Sequence, residues 1–210
     1  MNQEHQKHLD DISLIRNMME RSSRFISLSG LSGIFAGIFA LLGSFFGFWY
    51  TQEINTIGTT IFFHTISLGQ EINLVIILTA ALVLFFAISF GIYFTTKKAG
   101  KKNLPIWDLS TKRLVLNLLL PLIPGGIFCL ILLFTNHLEF VAGATLLFYG
   151  MALINAGHFT LHDIKYLGAI QMGLGIFAAL FTQYSLYIWS LGFGLLHVVY
   201  GVLMYYKYER

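Results

Sequence analysis

Six apolar stretches of membrane-spanning length are the feature that most restricts what this chain can fold into. They lie at about 25–50, 72–95, 114–135, 139–157, 166–182 and 185–206. None has Asp, Glu, Lys or Arg in its interior, and a helix of about 20 apolar residues crosses the hydrocarbon core of a bilayer. The sequence therefore predicts an all-α, polytopic integral membrane protein, with a bundle of six transmembrane helices spanning residues 25–206.

The rest of the sequence argues against a soluble catalytic domain. Charged residues make up 11% of the 210 residues, against about 25% in a typical soluble domain. The segments between the apolar stretches are short, and they contain no Walker loop, dinucleotide fingerprint, GxSxG elbow or CxxC pair. Cys129 is the only cysteine, so an intramolecular disulfide is excluded.

The basic residues predict on which side of the membrane each loop lies. All 13 Lys and Arg residues lie before the first stretch, between the second and third, between the fourth and fifth, or in the tail 207–210. By the positive-inside rule both termini are cytoplasmic, and these charges meet anionic headgroups at that face. We expect no nucleic-acid partner. The short loops and small size favour a plasma membrane location, in the inner membrane of a bacterium.

Residues 1–24 precede the first apolar stretch and form a predicted cytoplasmic juxtamembrane segment. Leu9, Ile12, Ile15 and Met19 recur at intervals of three or four, which is the spacing of one helical face. We expect a short amphipathic helix that lies on the inner leaflet. The alternative is a helix that docks on a soluble partner.

Glycines in the first stretch predict close helix packing. Gly33 and Gly37 form one GxxxG motif, and Gly43 and Gly47 form another. Glycines four residues apart lie on nearly one face, so that a neighbouring backbone can approach closely. We expect these faces to pack against another helix, and a homo-oligomer formed through them is one possible outcome.

The third stretch carries the sequence PLIPGG at residues 121–126. Pro121 and Pro124 lack a backbone N–H, so they are expected to kink or interrupt the helix. A carbonyl freed at membrane depth needs a partner from protein or water. The segment is therefore a candidate flexible element or cavity wall.

Few polar side chains lie inside the predicted spans, and His197 is the most notable of them. Gly194 and Gly201 flank it at three and four residues, which leaves room around the ring on that face. His197 could hydrogen-bond to another helix, ligate a metal or haem, or line a small-ligand cavity. Asn155 and Gln171 are further candidates for lining such a cavity.

The stretch HFTLHD, residues 158–163, suggests a metal site. His158 and His162 are four apart, so a helix continued through them would place both on one face. With His197 as third ligand and Asp163 as catalytic carboxylate, the set is similar in residue types to polytopic membrane hydrolases that hold zinc with three histidines. Alternatively, Gly157 ends the fourth helix, the stretch is a polar interfacial turn, and Asp163 favours the start of the fifth helix.

Three functions remain open from the sequence. The first is a non-enzymatic membrane scaffold or regulator, or a bundle that binds an apolar ligand. The second is a channel or carrier built around the interrupted third span, and the third is the metal-dependent hydrolase. The sequence requires no cofactor, and the lack of Asp, Glu, Lys or Arg inside the spans argues against proton-coupled transport.

Overall fold

The computed structural model describes residues 29–58, 65–101 and 106–209. These residues are helical and contain no strand, which confirms the all-α class. Five of their helices are long and apolar enough to cross a membrane. The predicted amphipathic helix near the N-terminus lies outside the described residues.

Five helices precede a composite C-terminal span. They are α1 (Gly30–Gly58), α2 (Thr65–Lys101), α3 (Leu109–Phe134), α4 (Leu138–Ala156) and α5 (Ile164–Leu180). The C-terminal span, Thr182–Tyr208, consists of a 3₁₀ turn (Thr182–Tyr184), α6 (Ser185–Trp189), a π-helix (Ser190–Leu196) and α7 (His197–Tyr208). Helix α5 is apolar but has only 17 residues.

Helices α1 and α2 are longer than the apolar stretches that predicted them. Helix α1 ends at Gly58 rather than near residue 50, and α2 begins at Thr65 rather than near residue 72. The 37 residues of α2 make a helix about 55 Å long, whereas the hydrocarbon core of a bilayer is about 30 Å thick. Both helices therefore exceed the length that crossing a bilayer requires.

The helices pack in a defined order. Helix α2 packs on α1, α1 packs on the C-terminal span, this span packs on the α4–α5 pair, and α3 packs on α4. Helices α2 and α3 thus lie at the flanks, where their outward faces expose large apolar side chains, among them Leu82, Phe85, Ile88, Ile92, Leu116, Leu120, Ile123 and Ile127. Such continuous apolar faces suit a lipid environment rather than water.

The antiparallel helices α4 and α5 meet through glycines. A Cβ on Gly150 would lie 2.6 Å from the carbonyl oxygen of Gly168, and a Cβ on Gly168 would lie 2.8 Å from that of Gly150. Gly143 and Gly175 meet in the same reciprocal way, at 2.9 and 2.8 Å. Because backbone occupies the space that a side chain would need, this α4–α5 seam requires glycine at each position.

A second seam joins α1 to the C-terminal span, and it uses the first predicted GxxxG motif. A Cβ on Gly37 would lie 2.6 Å from the carbonyl oxygen of Gly194, and one on Gly33 would lie 3.2 Å from the Cα of Gly201. The face of Gly33 and Gly37 is therefore occupied by the chain's own C-terminal span, rather than left open for a second copy.

The other two glycines of α1 face different neighbours. A Cβ on Gly43 would lie 2.5 Å from Cγ2 of Val83 on α2. One on Gly47 would lie 3.6 Å from Cδ2 of Leu186, which is ordinary contact. Of these two glycines, only Gly43 allows a neighbouring side chain, that of Val83 on α2, to come closer than a larger residue would permit.

Phenylalanine rings from α1 and α2 pack against one another between these helices. Phe35 stacks on Phe90 and Phe94 with ring centroids 5.2 and 5.0 Å apart, and Phe39 lies 5.3 and 5.1 Å from Phe86 and Phe90. These separations are typical of favourable aromatic pairs. Aromatic side chains meet at this contact, whereas at the two glycine seams backbone atoms lie where a Cβ would be.

The expected interruption of α3 is not observed, since the helix continues through Pro121 and Pro124. A proline removes the hydrogen bond to the carbonyl four residues earlier, and for Pro121 this is the carbonyl of Asn117. The side-chain Nδ2 of Asn155 on α4 donates to that oxygen at 3.1 Å. The freed carbonyl thus has a protein partner, which allows the helix to continue. Pro124 is exposed on the surface of the bundle.

Candidate functional site

His197 is buried between the C-terminal span and α4 and is bonded at both ring nitrogens. Its Nδ1 lies 2.9 Å from the carbonyl oxygen of Gly192, and its Nε2 lies 2.9 Å from the hydroxyl of Tyr149. Because a carbonyl only accepts, Nδ1 donates to Gly192, and in a neutral imidazole Nε2 then accepts from the tyrosine hydroxyl. The ring thus links two helices.

Gln171 of α5 joins the same carbonyl. Its side chain is 0% exposed, and its Nε2 donates to the carbonyl oxygen of Gly192 at 2.7 Å. Both lone pairs of this oxygen are thus engaged by side chains. The 3.3 Å approach of Gln171 Nε2 to His197 Nδ1 is a contact rather than a hydrogen bond, because both atoms are donors. We call Tyr149, Gln171, Gly192 and His197 the His197 cluster.

The Oε1 atom of Gln171 is buried and has no hydrogen-bond partner among the described residues. A Cβ built on Gly192 would lie 2.6 Å from it, so a Cα hydrogen of Gly192 points toward this oxygen. Such a C–H···O contact is a weak stabilising interaction. Both polar atoms of the Gln171 amide therefore contact Gly192: Nε2 contacts its carbonyl oxygen and Oε1 lies on the side of its Cα.

The carbonyl of Gly192 belongs to a segment of the C-terminal span whose backbone departs from the α-helix. Residues Ser190–Leu196 form a π-helix, in which backbone bonds span five residues and the turn is wider than in an α-helix. At the N-terminal end of this π-helix, Trp189 donates from Nε1 to Thr145 Oγ1 at 3.1 Å. Rings of Trp189, Phe193 and His197 follow one another along this face, with centroids 5.0 and 5.7 Å apart.

The expected space around His197 is filled by helix packing. Gly194 faces α1, where a Cβ would lie 2.5 Å from Cδ2 of Leu41. Gly201 also faces α1, where a Cβ would lie 2.5 Å from the backbone nitrogen of Ile34. These glycines therefore allow α1 to approach and do not open a cavity beside the imidazole. Of the roles considered for His197, hydrogen bonding to another helix is the one observed.

HFTLHD does not form the helical face that a paired histidine site would need. Helix α4 ends at Ala156, with Gly157 as its C-cap, and the chain then turns. His158 and His162 are exposed, while His197 is buried and bonded as described above. Within 29–58, 65–101 and 106–209, no three His, Cys, Asp or Glu residues are grouped so that they could hold a metal ion. The three proposed ligands are thus not brought together.

Asp163 lies at the N-terminus of α5 but its side chain does not cap that helix. It accepts instead from Lys207 Nζ at 2.7 Å and from the Tyr208 hydroxyl at 3.0 Å. The bond from Lys207 lowers the pKa of the Asp163 carboxyl, and the Tyr208 bond adds to this effect. The candidate catalytic carboxylate therefore ties the end of the C-terminal span to the start of α5.

A second ion pair at the same end of the bundle was not predicted from the sequence. Glu209 binds Lys98 of α2 at 3.2 Å, and it accepts from the backbone N–H of Gly30 and from the hydroxyl of Ser29. A carboxylate at a helix N-terminus is favourable because of the helix dipole. This arrangement ties the C-terminus to α1 and α2, and only the folded structure brings these three distant segments together.

Comparison with known proteins assigns no family. No protein-family model matches the chain, and no curated protein and no solved structure matches it. The geometry of the buried polar side chains is therefore the basis on which a function can be inferred.

Proposed function

We propose that this protein is a six-span integral membrane protein that acts as a non-enzymatic scaffold or regulator through helix contacts in the bilayer. The observation that supports this role is that two amides and an imidazole within the described bundle each join two helices. Asn155 links α4 to α3, Gln171 links α5 to the C-terminal span, and His197 links that span to α4. Polar residues commonly serve as interhelical links of this kind in membrane proteins.

In the proposed topology both termini lie in the cytoplasm. The protein is embedded in the plasma membrane, which in a bacterium is the inner membrane. Helix α5, with 17 residues, would be the shortest span. If the spans alternate in direction, the basic residues of the described segments lie at one end of the bundle; these are Lys97, Lys98, Lys101, Lys112, Arg113, Lys165 and Lys207. Anionic headgroups on the cytoplasmic face would contact this end.

Labelling with a membrane-impermeant maleimide tests the topology. The background is Cys129→Ala, which removes the only cysteine. Single cysteines at His137 and Gln183 are expected to react in intact cells, because they precede α4 and the C-terminal span on the outer side. Cysteines at Lys101 and His162 are expected to react only after permeabilisation. Reaction of either inner position in intact cells would contradict the proposed orientation.

A flux assay tests the proposed role. Purified protein in liposomes is expected to pass K⁺, Cl⁻, glycerol and a fluorescent phospholipid no faster than protein-free liposomes do. The matched variants are Gln171→Leu, which breaks a buried link, and His158→Ala, which changes an exposed side chain. A channel or carrier would be favoured instead if the unmodified protein conducts one of these solutes, Gln171→Leu abolishes that flux and His158→Ala preserves it.

A further inference from the structure

The π-helix gives the C-terminal span an unusual alignment with α4. Trp189 and His197 are eight residues apart, and in an α-helix their side chains would point about 80° apart around the axis. Their partners Thr145 and Tyr149 are only four apart, and so lie close together on one face of α4. Both bonds form, at 3.1 and 2.9 Å. The wider turns of Ser190–Leu196 absorb the offset.

The His197 cluster is positioned to hold these wide turns in place. Gly192 lies within the π-helix, and its carbonyl accepts from both Gln171 and His197. A side chain at position 192 would have to displace Leu146 of α4, because a Cβ there would lie 2.5 Å from Cδ2 of that leucine. Two buried side chains from two helices thus bind the carbonyl of a segment whose backbone departs from the α-helix.

The two ends of the C-terminal span are anchored unequally. Two ion pairs tie its inner end to other helices, through Lys207 with Asp163 and through Glu209 with Lys98. Its outer end is held by the indole bond of Trp189 and by the ring contact of Tyr187 with Phe48, 4.4 Å between centroids. A change from π to α turns requires one end to move, and the outer end, where residues 182–196 include no charged side chain, is the end without an ion pair.

We propose that the C-terminal span is a two-state element in which the His197 cluster holds the π-helical state. Release of the Gly192 carbonyl lets Ser190–Leu196 return to α-helical turns. The outer end then rotates by about 100° and moves by about 1.5 Å, which correspond to one residue of an α-helix. Trp189 leaves Thr145 as a result. The buried cluster is thereby coupled to the outer surface of the protein, whatever that surface contacts.

Fluorine NMR of Trp189 tests the coupling. Trp49→Phe and Trp107→Phe leave Trp189 as the only tryptophan of three, which is then labelled as 5-fluorotryptophan. The parent protein is expected to give one principal resonance. Gln171→Leu is expected to shift that resonance or split it in two. The matched control is Asn155→Leu, which removes a partly buried amide bonded to α3 outside the π-helix, and it should leave the resonance in place.

A one-residue deletion provides a second, independent test. Leu195 is 49% exposed within the π-helix, and its deletion would place Trp189 and His197 seven apart, about two turns of an α-helix. We expect a folded, monodisperse protein whose single Trp189 resonance no longer responds to Gln171→Leu. Deletion of Leu203, 61% exposed in α7, should instead abolish folding, because α7 has no surplus residue to lose.

Two results would overturn the proposal. One is a monodisperse Gln171→Leu protein whose Trp189 resonance stays at the parent position. The other is a deletion of Leu195 that fails to fold in the same way as the deletion of Leu203. If Gln171→Leu itself does not fold, the pair of deletions still decides the question.

Discussion

Helices α4 and α5 meet through glycines, whereas α1 and α2 meet through phenylalanines. At the α4–α5 seam a missing side chain lets carbonyl oxygens occupy the place of a Cβ, as at Gly150 and Gly168. At the other contact, rings such as Phe35 and Phe90 fill the space between the helices. The stability of a glycine seam depends on the absence of a side chain at a few fixed positions. In a row of rings, the stabilisation is spread over many van der Waals contacts.

The polar side chains provide a third kind of contact. Gln171 lies on α5 between Gly168 and Gly175, and its Nε2 reaches the carbonyl of Gly192 on the C-terminal span at 2.7 Å. The polar links therefore join helix pairs that the two glycine seams do not, and the aromatic contact attaches α2 to this core.

The largest expected effect is a broken seam. Gly150→Leu should prevent folding or destabilise the protein by more than about 3 kcal/mol, because overpacking alone costs about 1–3 kcal/mol and here the new side chain meets backbone. Size-exclusion profiles and thermal unfolding in detergent measure this. Gly173→Leu on α5 is the matched control, since nothing lies within 4 Å of a Cβ there. Equal loss in both variants would show that the seam is not the cause.

The link between α4 and α3 should have the next largest effect. Asn155→Leu leaves the carbonyl of Asn117 without its donor at 3.1 Å, which costs about 1–3 kcal/mol for a buried group. Pro121→Ala restores a backbone N–H for that carbonyl, so Asn155→Leu should cost less in the Pro121→Ala background. Thermal unfolding of the four proteins measures the difference. An Asn155→Leu penalty that is the same in both backgrounds would mean that the freed carbonyl is not what Asn155 satisfies.

The aromatic contact should tolerate change better. Phe39→Leu removes two ring pairs, with Phe86 and Phe90, but keeps an apolar side chain, so a loss of about 1 kcal/mol is expected. Thermal unfolding of Phe39→Leu beside Phe85→Leu provides the comparison, because Phe85 is 63% exposed. A loss as large as that of Gly150→Leu would remove the distinction between the two kinds of contact.

The smallest effect is expected at the ion pair between Lys207 and Asp163. Lys207 lowers the pKa of Asp163 in the folded state, so the pair stabilises the fold above the unfolded pKa of about 3.9. That contribution is lost as the pH falls through the lower folded pKa. Asp163→Asn should therefore unfold at a lower temperature than the parent at pH 7, with the difference vanishing in acid. A difference that grows below pH 4 would have the wrong sign for this pair.

The helical class could be predicted from the sequence because a bilayer demands about 20 apolar residues for each crossing. The first GxxxG motif was also visible, although its partner was not. The α4–α5 seam was missed because its glycines are spaced by seven residues, as at Gly143 and Gly150, and only the pairing of two particular helices gives that spacing a meaning. The π-helix left no pattern that sequence periodicity could reveal.

The candidate site shows where residue types alone mislead. His158 and His162 have the spacing of a metal pair, but α4 ends at Ala156 before it reaches them. Gly157 was the signal for that ending. The hydrogen-bond partner of His197, by contrast, could not be predicted from the sequence. Tyr149 is one of ten tyrosines, and no neighbouring residue distinguishes it from the others. Which tyrosine reaches the imidazole is decided by helix packing alone.

The central claim is that the buried polar side chains hold helices together, and a double-mutant cycle on Tyr149 and His197 tests it most directly. Thermal unfolding is measured for the parent, Tyr149→Phe, His197→Phe and the double variant. We predict that the second substitution costs about 1 kcal/mol less when the first is present, as expected for interhelical hydrogen bonds in membranes. Strictly additive losses would contradict the claim, because the 2.9 Å contact would then contribute nothing to the fold.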